Sequence, residues 1–274
     1  MKFTKAHVNG NDFVIIGGRS ENCDVNLSLI ADRNYGIGCD QIIFVSKEEG
    51  ASYRIEFFNQ DGSQAAMCGN GACAVAVYVR DILHDQRVEL LLKISGAVYR
   101  TTVNNDEATV FFKNPVIDSP QIMDMIFVST GNKHLIYNIP ALESVSEAHA
   151  FSLQEKYPDR NIHFISRLSD SSISIKSFER GVGWTKACGS GAIAAVFALD
   201  FLPSSSCSSS CDPGFCCVSP INCSGSVVST ESRFTTERPR IKVVQDGGVS
   251  TVCRFEDEMS LTTRPKLIFN ATLL

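Results

Sequence analysis

One short turn occurs twice in this chain. Met67-Cys68-Gly69-Asn70-Gly71-Ala72 and Ala187-Cys188-Gly189-Ser190-Gly191-Ala192 lie 120 residues apart. Each is a Cys-Gly-polar-Gly turn opening an Ala- and Val-rich run without proline. The runs are Ala74-Val75-Ala76-Val77-Tyr78-Val79 and Ala194-Ala195-Val196-Phe197-Ala198-Leu199. Runs that are apolar nearly all round predict helices buried in a core. The glycines let the backbone turn tightly and leave the first N–H groups of each helix bare. Such orphan donors, aligned with the helix dipole, favour negative charge. Two anions profit there: a cysteine thiolate, whose pKa falls at such a position, and a substrate carboxylate. A lone buried cysteine is usually structural, but duplication of the whole turn points to chemistry.

The duplication extends beyond the turns. Gly10-Asn11 recurs as Gly131-Asn132 at an offset of 121, and Gln41–Val45 as Asn161–Ile165 at 120. Phe58-Asn59 sits opposite Phe178-Glu179, again at 120. Arg87-Val88, Gly96 and Asn114-Pro115 resemble Arg240-Ile241, Gly248 and Arg264-Pro265 at offsets of 150 to 153, which locates an insertion after the second helix. Two half-chains, each with a cysteine at a helix start, suggest a pseudo-twofold molecule with a shared site in the cleft between halves. The axis would aim the two sulfurs at one point from opposite sides. That arrangement suits removal of a proton from one face of a carbon and return of one to the other.

Composition narrows the class. An apolar fraction of 44% and a charged fraction of 20% are those of a soluble globular protein, and a net charge of −5 gives no hint of nucleic-acid binding. No signal-peptide pattern and no bilayer-spanning apolar run is visible, so a cytoplasmic protein with no membrane partner is expected. Eleven cysteines are many for that compartment, but their number is odd and reduced thiols are expected.

Along the chain, residues 1–8 and 13–16 read as strands joined by an Asn9-Gly10-Asn11-Asp12 turn. A short helix is predicted over 25–33. The loop Tyr35–Gln41 holds a Gly-x-Gly too short and misplaced for a dinucleotide fingerprint. Strands are expected at 42–46, 53–58, 88–94, 97–103 and 108–113, with Asn114-Pro115 ending the first half. The second half repeats the plan: residues 126–130 lead into Gly131-Asn132-Lys133-His134 and the apolar Leu135-Ile136-Tyr137, with a helix over 141–155 and strands at 162–166 and 173–178. Residues 203–239 shift in composition to a Ser-rich run with Cys207, Cys211, Cys216, Cys217 and Cys223. Their spacing lacks the paired ligands of a zinc site, so a surface loop is expected. Strands resume at 240–245, 249–255 and 258–262, and Lys266–Phe269 closes the chain. The fold expected is α+β, with two pseudo-symmetric domains, each a mostly antiparallel sheet or barrel around a central helix. The first is 1–115 joined by the strand 265–274. The second is 116–264, with the insertion at about 203–239.

Taken together, Gly10-Asn11-Asp12-Phe13, Phe58-Asn59 with Asp61-Gly62-Ser63, Met67–Gly71, Glu179–Gly183 and Ala187–Gly191 make the chain resemble diaminopimelate epimerase. The likeness covers residues 1–199 and resumes near 240. It implies epimerisation of LL-2,6-diaminopimelate to the meso isomer, in lysine and peptidoglycan precursor synthesis, without metal or cofactor. It further implies that Cys68 and Cys188 are the acid–base pair, with His134 and Glu179 biasing their pKa values. By the same likeness, N–H groups at Gly69, Asn70, Gly71, Gly189, Ser190 and Gly191 would hold the α-carboxylate. Asn11 and Gln41 would line the pocket, and Asn59, Asn132, Asn161, Glu179 and Arg180 would grip the distal end of the substrate. A homodimer is implied as well. The chain departs from the family where Lys133 replaces a usual Pro, Ser190 a Thr, Trp184 a Glu and Val8 a Gly. Two other readings remain: a different two-cysteine racemase, such as proline racemase, which carries His where Asn70 stands, or a thiol-based metal-binding or redox protein.

Overall fold

The computed structural model describes residues 1–22, 24–202 and 240–273. The Ser- and Cys-rich stretch falls outside them. The first half runs β1 (Lys2–Val8), β2 (Asn11–Gly17), α1 (Leu27–Ala31), β3 (Gln41–Glu48), β4 (Ala51–Asn59), β5 (Gln64–Ala65), α2 (Gly69–Asp81), β6 (Glu89–Ile94), β7 (Ala97–Asn104), β8 (Glu107–Lys113) and β9 (Val116–Ile122). The second half runs β10 (Met125–Ser129), β11 (Lys133–Asn138), α3 (Glu147–Lys156), β12 (Asn161–Ser169), β13 (Ser172–Glu179), β14 (Gly183–Thr185), α4 (Gly189–Ala198), β15 (Arg240–Gln245), β16 (Gly248–Arg254), β17 (Glu258–Thr263) and β18 (Lys266–Thr272).

The pairing pattern is written twice. In the first half β1–β2 is antiparallel, β2–β3 parallel, β3–β4 antiparallel, β4–β6 parallel, and β6–β7–β8 antiparallel. In the second, β10–β11, β11–β12, β12–β13, β13–β15 and β15–β16–β17 repeat those senses in order. The halves meet where β8 pairs antiparallel with β17, Val110 opposite Leu261. Their last strands cross over: β18 pairs with β1, and β9 pairs with β10. The sheet is mostly antiparallel, as expected, and each of its parallel pairs is bridged by an intervening segment carrying a helix, as parallel neighbours require.

Local sequence accounts for the elements. Asn9 and Gly10 both have positive φ (50° and 80°), as do Ser95 and Gly96 (48° and 84°). Positive φ at both central residues defines the tight hairpin turn that joins β1 to β2 and β6 to β7. In β8 the period-two pattern sends Ala108, Val110 and Phe112 inward. The sequence does not mark β9 as a strand, because Pro120 lacks an N–H and the strand buries no residue; its pairing with β10 carries two register shifts. The helix expected over 141–155 is divided: a single 3-10 turn covers Leu142–Ser144, and α3 starts afresh where Ser146 Oγ accepts from the His149 N–H.

The two interior helices organise the core. Every residue of α2 from Gly69 to Val79 is buried. It packs against β1, β2, β7 and β8, and also touches β17, β18 and α4; α4 packs against β10, β11, β12, β16 and β17. Small side chains (Ala72, Ala74, Ala76, Ala192, Ala194, Ala195) let the strands wrap closely. Each buried Val or Ile there contributes about 1.5–3 kcal/mol. Among the described residues, no helix is long and apolar enough to cross a membrane.

Candidate active site

The helix starts of α2 and α4 meet near the junction of β8 and β17. A Cβ placed on Gly189 would lie 2.8 Å from Leu261 Cδ2, 3.1 Å from Asn70 Oδ1 and 3.3 Å from the Asn70 backbone nitrogen. Gly69 approaches the same Leu261 methyl, at 3.1 Å from a Cβ built there. The two turns thus sit against one another, with Leu261 between them.

At each turn the cysteine is the residue that caps the helix. The Gly71 N–H donates to Cys68 Sγ over 3.3 Å, and the Gly191 N–H to Cys188 Sγ over 3.4 Å. Both sulfurs feel one carboxylate. Glu179 acts electrostatically on Cys188 and also on Cys68, opposing the thiolate at each. Thr185 Oγ1 holds that carboxylate by donating to Oε1 over 2.6 Å. Burial pushes the Cys68 thiol up to about 12 and Glu179 adds to the shift, while the N–H groups of Gly71 and Asn70 pull against it. Burial, then Glu179, raises Cys188 well above its ordinary value against Ser190 and Gly191. Burial raises Glu179 itself, opposed by Thr185 and Cys188. Low dielectric therefore outweighs the helix dipole, and both sulfurs rest as thiols at neutral pH.

The remaining residues expected at the site lie at strand ends on the same side. Asn11 opens β2 and turns its Oδ1 toward Cys68 Sγ, 3.7 Å away, and Asn70 Nδ2, 3.4 Å away. Gln41 opens β3 and donates to Asn59 Oδ1, at the end of β4, over 3.2 Å. Their pseudo-symmetric counterparts are Asn161, opening β12, and Glu179, ending β13. Asn161 Oδ1 accepts from the Arg180 backbone N–H over 3.0 Å, and the Arg180 side chain is exposed. Asn132 lines a cavity of about 200 Å³ between the halves with Met67, Tyr99, Phe112, Thr130 and Ser190. A larger cleft of about 310 Å³, lined by residues such as Asp124, Ile165, Arg167 and Leu199, includes none of these residues. His134 is fully buried and hydrogen-bonds Thr130 and His163. Lys133 reaches Asp159 over 2.8 Å at the surface, and Trp184 packs on Phe164 and Phe178.

The structure adds residues that sequence reasoning did not single out. Asp40 Oδ2 accepts from Asn11 Nδ2 and from the Asp12 N–H, so it fixes which end of the Asn11 amide faces Cys68. Arg33 clamps Asp40 and Asp12, and Lys5 completes the cluster. Burial works to raise Asp12, but Arg33 and Lys5 win and hold it down to about 2. Gln245 Nε2 donates to the Cys188 carbonyl over 3.4 Å. Asp40 lies 29 residues along the chain from Asn11, so no local sequence signal marked it.

Similarity to solved structures shows the fold. The fold matches a PhzF-family phenazine biosynthesis protein of Bacillus anthracis with TM-score 0.70 at 14% identity, covering 100% of this chain and 99% of that one. It matches a probable proline racemase of Agrobacterium radiobacter with TM-score 0.60 at 11% identity, covering 100% and 92%. Sequence resolves the family within that fold. A diaminopimelate epimerase model matches residues 3–116. The diaminopimelate epimerase of Teredinibacter turnerae is 32% identical over 230 residues, covering 72% of this chain and 82% of that protein. That of Neisseria meningitidis is 33% identical over 231 residues with the same coverage. The chain belongs to the diaminopimelate epimerase family, and it is an isomerase.

Proposed function

We propose that the chain converts LL-diaminopimelate to meso-diaminopimelate by moving protons between the α-carbon and two sulfurs. The observation that carries this reading is the pair of cysteines that cap two adjoining helix starts, Cys68 at α2 and Cys188 at α4. One sulfur, as thiolate, takes the α-proton; the other, as thiol, gives its proton to the opposite face. The sulfurs end with their protonation exchanged, so the reverse reaction uses the same parts. Because burial holds both as thiols, the positive charge of the substrate's ammonium groups is needed to bring one to thiolate. The Gly71 and Gly191 N–H groups hold the sulfurs, so the backbone donors at Gly69, Gly189 and Ser190, with that of Asn70 shared with Cys68, receive the α-carboxylate and spread charge as it develops. Asn59, Asn132, Asn161, Glu179 and Arg180 recognise the distal amino acid, where the planar guanidinium of Arg180 suits a carboxylate.

The test is incubation with LL-diaminopimelate in deuterated water. The reading expects meso product carrying α-deuterium; substrate recovered unlabelled and unchanged would end it. Asn70 stands where proline racemases carry His, which favours diaminopimelate over proline. A homodimer working in the cytoplasm belongs to the same proposal, since free thiols survive in a reducing compartment. Sedimentation at catalytic concentrations checks the dimer.

A further inference from the structure

The pseudo-twofold repeat supplies an internal comparison at the two helix starts. Beneath α2, the first half packs Phe13, Ile43 and Phe57, all fully buried. The positions matching them in the second half are His134, His163 and Ser177, and these are buried too, at 0%, 0% and 2% exposure. An apolar trio on one side thus faces a hydrogen-bonded chain on the other. Thr130 Oγ1 bonds His134 Nε2 at 3.0 Å, His134 Nδ1 bonds His163 Nε2 at 2.9 Å, and His163 Nδ1 bonds Ser177 Oγ at 2.9 Å.

Packing places the middle of this chain directly under the second turn. A Cβ on Gly191 would lie 2.3 Å from His163 Cε1 and 2.7 Å from each ring nitrogen. On the first side, a Cβ on Gly71 would instead meet Phe57 Cε1 at 2.5 Å and Ile43 Cδ1 at 3.3 Å. The Gly191 N–H is the donor that holds Cys188 Sγ. Stability alone does not call for imidazoles here, since the first half fills the equivalent space with hydrocarbon. Two neutral histidines in a dry interior are tolerated because each ring nitrogen has a partner. Burial drives His163 down to about 3, and burial together with His163 and Arg160 lowers His134, so both rings stay neutral.

We propose that His163 is a positioning residue for the second cysteine: tethered by Ser177, it holds the His134 ring and supports the Gly191 turn that binds the Cys188 sulfur. The first helix start has no such device, so the two sulfurs are set differently by their own halves. This rests on the epimerase reading for its kinetic consequence, but not for its structural one.

The experiment compares His163→Ile, which copies the first half's side chain, with His163→Gln, which keeps a hydrogen-bonding partner for His134. In the wild type and each variant, kcat and KM for LL-diaminopimelate are measured, and iodoacetamide labelling of Cys68 and Cys188 is followed by peptide mapping. His163→Ile is expected to lower kcat roughly tenfold or more, with KM within about twofold, because a buried ring nitrogen loses its partner. His163→Gln is expected to keep kcat within about threefold of wild type. Labelling of Cys188 should change by at least about threefold in His163→Ile while Cys68 stays constant. Unchanged kcat and Cys188 labelling in His163→Ile would overturn the proposal, as would parallel changes at both cysteines. Should His163→Ile fail to fold, Ser177→Ala decides by the same readings, and no change there overturns it. A wild-type enzyme inactive on LL-diaminopimelate would sink the proposed function, while the labelling comparison would still judge this inference.

Discussion

The buried imidazoles make a prediction about acid stability that can be worked to a number. His163 has an ordinary value of 6.5 and is driven to about 3 by burial. A base whose folded pKa lies below its unfolded one contributes stability that is present above the unfolded value. That stability is lost as pH falls toward the folded value, because only the unfolded chain gains the proton. The window for His163 therefore runs from pH 6.5 down to about 3. Between about pH 7.5 and pH 5 the unfolded imidazole gains about 2 kcal/mol that the folded one does not. Against a typical stability of about 5–15 kcal/mol this is a large fraction. The perturbation is His163→Gln, which removes the titrating group but keeps a side chain able to hydrogen-bond. Urea unfolding of both proteins, at several pH values across that range, gives the difference in stability with the titrating groups away from His163 cancelled; among its contacts only His134 also titrates in this range. The variant should gain about 2 kcal/mol relative to wild type as pH drops from about 7.5 to 5, whatever its offset at neutral pH. Curves that stay parallel across the range would refute a neutral, desolvated His163.

Cys68→Ala or Cys188→Ala should each lower epimerisation by at least about 10²–10⁴-fold, since each face needs its own proton handler; a coupled assay retaining more than a few per cent (~) in either variant refutes the pair. Gly189→Ala drives a methyl into Leu261 and Asn70 and should cost about 1–3 kcal/mol, read as a lowered melting temperature together with reduced kcat. Asp40→Ala frees the Asn11 amide beside Cys68 and should reduce kcat/KM about tenfold, measured by initial rates, with little change in fold by circular dichroism. Raised thiol values place the acid limb of the kcat/KM profile on the alkaline side of neutrality, so activity should climb from pH 7 to 9; a profile already flat at about pH 6 counts against it.

Much of this architecture was legible where local chemistry decides the backbone. The Asn9-Gly10 turn, the alternation of β8 and the apolar runs after Cys68 and Cys188 each carry their own instructions, and the repeat supplied the relation between halves. What escaped depends on contacts made far along the chain. β9 carries Pro120 and buries nothing, so only its pairing with β10 makes it a strand. In β12, Ile162 and Phe164 face the layer under α3 while His163 faces α4. A histidine buried from both sides has no signature in a single strand. Asp40 likewise shows its purpose only once Asn11, Asp12 and Arg33 have been folded around it.

The crossing of β9 and β18 has a consequence for how such a molecule arises. Neither half completes its own sheet: β1 needs a partner from the end of the chain, and β10 needs one from the end of the other half. A half-length chain obeying the same pairing would find its missing edge in a second copy of itself. Two such copies would bring two identical sulfurs to a common axis before any fusion allowed one side to acquire histidines and the other to keep phenylalanines.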